Sequence, residues 1–149
     1  MAVLVGFAVW ALRALFEAPL SALCVPAIAA RLKVPADVKE EVLLRSYRAD
    51  EWPGWFEAAH TAAPPIAGPV FDSSVLMIET AMQGAGVALA PPLMFSRHLA
   101  AGALEQPFPI YVSKGSYWLT RLKSRAATPA MDAFRTGLAE MAVEVRERA

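Results

Sequence analysis

A chain of 149 residues is long enough for one domain with a buried core, and 56% hydrophobic against 19% charged residues excludes a disordered chain. Lys plus Arg and Asp plus Glu stand at 14 each, so no net field draws the chain to nucleic acid or to a membrane surface. The single cysteine, Cys24, excludes an internal disulfide and a cysteine metal cluster, and it fits a reducing compartment.

Met1 to Leu12 (MAVLVGFAVWAL) is an uncharged apolar run, shorter than the ~20 residues that a membrane-spanning helix needs. No basic residue precedes it, as a secretory signal would require, so a segment buried against the rest of the fold is expected, strand or helix. Leu15 to Val25 carries strand-forming residues interrupted by Pro19. Pro26 then opens a short helical piece ending near Leu32, and Pro35-Ala36-Asp37 opens another turn of helix. Leu43 to Tyr47 reads as a short strand. Asp50 is placed to cap a helix whose Trp52, Trp55, Phe56 and Ala59 share one apolar face, with Pro53 tolerated in its first turn. At that spacing the tryptophans read as core rather than as a stacking platform for bases. Ala62 to Pro69 is a proline-rich connector.

Val70 to Ala90 (VFDSSVLMIETAMQGAGVALA) reads as strand, helix, strand. Val70-Phe71 is the first strand; Asp72, Ser73 and Ser74 supply side-chain oxygens for a helix start, and Gly84-Ala85-Gly86 tolerates the conformation at its end. Val87 to Ala90 is the second strand and stops at Pro91-Pro92. In open α/β sheets ligands bind where strands hand over to helices. Free N–H groups there, beside the Ser73 and Ser74 hydroxyls, favour an anionic group. Helix capping alone also accounts for these three residues.

Leu93 to Ala101 reads as helix, closed by Gly102. Leu104 to Val112 contains Pro107 and Pro109, so a strand there is an edge or is broken. After a turn at Lys114-Gly115, Ser116 to Leu122 alternates as a strand that carries Ser116, Trp118 and Thr120 on one side and Tyr117, Leu119 and Arg121 on the other. Thr128-Pro129 starts a terminal helix, with Thr as cap and Pro at the first helical position. Met131, Phe134, Leu138, Met141 and Val145 step along it by three and four, so one face is expected to be buried. Strands alternating with helices give an α/β fold with a largely parallel sheet.

Catalytic constellations are scarce. His60 and His98 stand apart, and neither has metal-ligand spacing with Cys or another His. A hydrolase arrangement of Ser74, His98 and Asp72 lacks the G-x-S-x-G elbow, and Asp72 is too close to Ser74 along the chain to be the usual orienting acid. The glycine pair Gly84 and Gly86 lacks the third glycine of a dinucleotide fingerprint and follows a helix where that motif follows a strand. No enzyme, cofactor or metal is expected.

The segments LFEAPLSALCVPAIAARL, LLRSYRADEW, VFDSSVLMIETAMQGAGVALAPPLMF, GSYWLTRLKSR and TPAMDAFR resemble the effector-binding domain of LysR-type transcriptional regulators. The likeness is closest to the AmpR-like branch, which regulates inducible beta-lactamase genes; it runs from about Leu15 to Leu138, and the FDSS and GSYW blocks are specific to that branch. The resemblance implies a periplasmic-binding-protein-like (type 2) fold of two lobes, with an effector between them. Lobe II would be complete and lobe I partial. Residues 1–14 would be a non-family apolar segment, 15–21 a crossing strand from lobe I, 22–113 lobe II, and 114–149 the returning strand and terminal helix of lobe I.

In that branch the effectors are cell-wall muropeptides: anhydro-muropeptides as activators and a nucleotide-linked, D-Ala-D-Ala-terminated one as repressor. The serine of the FDSS block that contacts effector falls on Ser74 and the tyrosine of the GSYW block on Tyr117. Ser73 and Asp72 are weaker candidates, since capping explains them. Arg45, Arg48 and Arg121 are able to meet ligand carboxylates, although a solvated surface arginine is the commoner case. The resemblance further implies a cytoplasmic homodimer without membrane contact, reaching DNA only through a helix-turn-helix not found in this sequence. An apolar face on the terminal helix, lacking its sheet, would promote association. An exported solute-binding module of the same fold is the alternative.

Overall fold

The computed structural model of the chain describes residues 13–121 and 126–148. Six strands are described: β1 (Arg13–Glu17), β2 (Ser21–Leu23), β3 (Leu43–Ser46), β4 (Val70–Phe71), β5 (Val87–Ala90) and β6 (Ser116–Leu119). The α-helices are α1 (Pro26–Ala29), α2 (Glu51–Ala58), α3 (Ser74–Met82), α4 (Ser96–Ala100) and α5 (Pro129–Arg148). The expected burial of Met1 to Leu12 falls outside the described residues, as does Leu122 at the end of its strand. The chain divides into two compact units, Ala18–Lys114 and Met1–Glu17 with Gly115–Ala149.

In the unit Ala18–Lys114 the sheet order is β2-β5-β3-β4. β3 pairs in parallel with both β4 and β5, whereas β2 runs antiparallel to β5. Period-two alternation sends successive side chains to opposite faces, and both faces are buried. Leu43, Val87 and Leu89 join Trp52, Trp55 and Phe56 of α2 in one cluster. Leu44, Ala88 and Ala90 join Met77, Ile78 and Ala81 of α3 in the other, with Phe95 and Leu104. Trp55 is 0% exposed and meets Phe56 edge-on with ring centroids 5.2 Å apart. The tryptophans are therefore core. Each fully buried large apolar side chain contributes about 1.5–3 kcal/mol.

Several local expectations are refined. Proline at two successive positions tightens the start of the 93–101 helix, so a 3-10 turn (Pro92–Phe95) precedes α4. Gly102, at φ +69°, follows its last turn. The segment 104–112 forms only isolated antiparallel bridges, Cys24 with Glu105 and Leu20 with Val112, as its two prolines require. Asp50 occupies the N-cap position of α2 without making the cap: its carboxylate instead takes Lys114 Nζ at 2.7 Å.

In the other unit β1 and β6 form an antiparallel ribbon, irregular between Ala14 and Phe16, in which Phe16 and Tyr117 rings lie 5.2 Å apart. Thr128 caps α5, its Oγ1 accepting from Met131 N at 3.2 Å. The burial expected for α5 is found only in part: Leu138 is half-buried. Ala139 and Ala142 are its buried positions, while Met131, Phe134 and Met141 are exposed. A two-stranded ribbon covers a narrow stripe of small residues and leaves the wider aromatic and methionine face uncovered. The side chain of Val145 lies outside the description.

Candidate functional site

Strand direction defines the candidate site. In the parallel pairs Ser46 lies opposite Phe71 and Leu44 opposite Ala88, so β3, β4 and β5 all run to the same carboxyl edge. Ser21, opposite Ala90 at the start of antiparallel β2, sits at that edge too. Two segments leave side by side from β3 and β4, residues 47–50 into α2 and 72–73 into α3. Ligands of open α/β sheets bind at this edge.

The 72–74 turn is fixed from behind. Arg45 N donates to Pro69 O at 3.2 Å and Arg45 Nε to Gly68 O at 3.1 Å, so the proline-rich connector is tied to β3 before β4 begins. Gly68 has φ +119°, and a Cβ there would run into the Leu43 carbonyl oxygen, so glycine is required. Ser73 is the N-cap of α3, its hydroxyl accepting from Leu76 N at 3.4 Å. Ser74 is the first helical residue and half-buried; among the described residues no protein group hydrogen-bonds its hydroxyl. Asp72 is exposed beside them.

The other hydroxyls at this edge, Ser46 and Ser21, are committed to structure. Ser46 Oγ donates to Glu51 Oε2 at 2.7 Å and accepts from Arg48 N at 3.1 Å, which bridges the end of β3 to the first turn of α2. Ser21, fully buried, donates to Ile110 O at 2.7 Å and accepts from Gln106 Nε2 at 2.9 Å. Lys114 hydrogen-bonds the Asp50 carboxyl and holds it below the usual carboxylate range. Arg48 lies with its guanidinium carbon 5.8 Å from the Tyr47 ring centroid, and Tyr47 is 72% exposed. This bracket of Ser46, Arg48, Glu51 and Lys114 is not legible in sequence, because it depends on the β3–β4 register and on a residue 64 positions away from Asp50.

Of the sequence-derived candidates, the structure brings Asp72, Ser73 and Ser74 together at one helix start, and Tyr117 belongs to the other unit, exposed on β6. His98 stacks near Phe95, ring centroids 6.1 Å apart, and no described hydrogen bond joins it to Ser74 or Asp72, so no hydrolase triad is assembled. No group of three or more His, Cys, Asp or Glu able to hold a metal ion occurs among the described residues. Nor is any described helix long and apolar enough to cross a membrane.

Comparison with known proteins agrees with this architecture. The LysR substrate binding domain family matches residues 9–142, a match that begins ahead of the Leu15 at which the quoted resemblance starts. The HTH-type transcriptional activator AmpR of Pseudomonas aeruginosa is 59% identical over 138 residues, covering 91% of this chain and 47% of that protein. The chain thus spans about half the length of the curated relatives it matches. Among solved structures, the effector domain of Pseudomonas aeruginosa AmpR superposes with TM-score 0.87 at 58% identity, covering 92% of this chain and 68% of that one. A Citrobacter freundii effector binding domain carrying Thr-to-Val, Ser-to-Ala and Tyr-to-Phe substitutions gives TM-score 0.85 at 42% identity, covering 89% of this chain and 68% of that one. The fold is the periplasmic-binding-protein-like (type 2) α/β class of AmpR effector domains.

Proposed function

The chain belongs to the LysR substrate binding domain family, and from that premise we propose that it is the effector-sensing domain of an AmpR-like regulator of beta-lactamase expression, responding to cell-wall muropeptides. Regulators among its relatives favour this over an exported solute-binding module. In this reading 22–113 forms lobe II, while 15–21 and 114–149 belong to lobe I, joined by Arg13 and Ala14, which the notion of a non-family segment 1–14 left out but which lie in β1 within the family match. The regulator works as a cytoplasmic homodimer, reaches DNA through a separate helix-turn-helix, and catalyses nothing.

The observation that carries the reading is Ser74. It is half-buried at the positive end of α3, with a hydroxyl that no described protein group engages, whereas Ser21 and Ser46 at the same edge of the sheet are committed to protein partners. A peptide carboxylate meets free N–H groups and a hydroxyl donor there. Ser74 and Tyr117 are also separated by the same number of residues as the serine and tyrosine substituted in the Citrobacter freundii domain. That parallel supports Tyr117 O–H as the second contact. Asp72 and Ser73 serve the helix start, with Ser73 the cap.

Calorimetry with a D-Ala-D-Ala-terminated muropeptide tests this. A hydrogen bond to a charged group is worth about 1.5–3 kcal/mol, so Ser74→Ala and Tyr117→Phe should each weaken binding by about 10- to 100-fold. Wild-type affinity in both variants overturns the site.

A further inference from the structure

We propose that the exposed face of α5 is a docking surface for the part of an AmpR-type effector domain that has no counterpart in this chain, bound as a separate polypeptide. The inference rests on family membership alone, so it stands or falls apart from the sensor reading above.

Three observations carry it. The first is the face. Met131, Phe134, Leu138 and Met141 step along α5 by three, four and three, so they share one side of the helix. Met131, Phe134 and Met141 are 37%, 65% and 63% exposed, and Leu138 is half-buried. With Val143, α5 exposes four large apolar side chains, more than any other described element. Its buried positions are the small Ala139 and Ala142, and the ribbon meets the helix through β1. The helix thus has two apolar sides, and the ribbon uses the narrower. Helices draw most of their stability from packing an apolar face, so the wider side is a surface that a partner would stabilise.

The second is the sheet. Among the described residues β1 and β6 pair only with each other, so each strand keeps one free edge. Trp118 of β6 is 52% exposed. A partner that adds strands to a free edge extends the sheet and gives α5 an apolar surface to lie on.

The third is the identity of the partner. The effector domain of Pseudomonas aeruginosa AmpR superposes on 92% of this chain, whereas this chain covers 68% of that domain. About a third of that domain therefore has no counterpart here, and the substituted Citrobacter freundii domain gives the same 68%. That third belongs to the same fold, and it has the length to supply both strands and an apolar face. A second copy of this chain brings the same ribbon and helix with the same gap, and so lacks what is needed.

The test co-expresses the full, affinity-tagged chain with the residues of the Pseudomonas aeruginosa AmpR effector domain that it does not match. Light scattering on the purified material should show a complex with one copy of each. Phe134→Asp and Met141→Asp, whose wild-type side chains are exposed in the free chain, should each weaken it by about 10- to 100-fold. Phe134→Leu should recover most of the affinity, and Tyr47→Asp, exposed in the other unit, should change nothing. Circular dichroism checks that each variant folds. No complex, or one indifferent to both α5 variants, overturns the proposal. A homodimer of this chain that Phe134→Asp dissolves overturns it too, because a second copy then occupies the face. So does a complex that appears only once residues 2–12 are deleted, which makes that apolar run the occupant.

Discussion

The two units of this chain reach order by different means. In Ala18–Lys114 a four-stranded sheet is sandwiched between two apolar clusters, and every residue of β5 is buried. In the other unit a two-stranded ribbon and one long helix bury Leu15, Ala139 and Ala142, while Met131, Phe134 and Met141 stay exposed. A two-stranded ribbon with one helix is close to the smallest assembly able to hold itself together. The lesson is that hydrophobic periodicity states that a face wants cover, and only the number of elements on hand decides whether it gets it.

Substitutions sharpen that contrast. Trp55→Ala, in the centre of the first cluster, should cost about 3–5 kcal/mol by urea unfolding, whereas Phe134→Ala, 65% exposed, should change stability by only about 0.5 kcal/mol. Equal costs would erase the distinction. Gly68→Ala, which drives a methyl into the Leu43 carbonyl at a positive φ, should cost about 1–3 kcal/mol and weaken ligand binding, because β4 carries the 72–74 turn. Removing the α3 cap with Ser73→Ala should cost about 1 kcal/mol in thermal melts while leaving β3 intact by hydrogen exchange.

The smallest effect is that of pH. Arg31 hydrogen-bonds Glu41, backbone N–H groups of Val34 and Lys33 bond Asp37, and Lys114 bonds Asp50, so all three carboxyls are held below their ordinary values. A depressed folded value means that the stabilisation is present above the unfolded range and is lost as pH falls through the folded one. The melting temperature should therefore hold down to about pH 5 and fall below about pH 4. Arg31→Met and Lys114→Met should each flatten part of that fall. All three pairs lie in the unit Ala18–Lys114, so the acid response should belong to it.

Much of this was legible beforehand, and the reasons are local. Ser73-Ser74 before an apolar run and Gly84 after it mark α3 by backbone chemistry that needs no tertiary partner. The FDSS and GSYW blocks carried the family. Tertiary competition decided the rest. Asp50 reads as a cap until Lys114 comes within reach. The face of α5 followed its period and still stayed in water, because burial depends on what lies opposite.

Cys24 carries a practical consequence. It is the chain's only thiol, fully buried, and burial pushes it up to about 12, where the reactive thiolate is scarce at neutral pH. A maleimide dye will therefore ignore it under native conditions. Ser74→Cys then offers one addressable position in an otherwise wild-type background, and emission from a fluorophore on the sheet edge reports ligand arrival in real time without a cysteine-free parent.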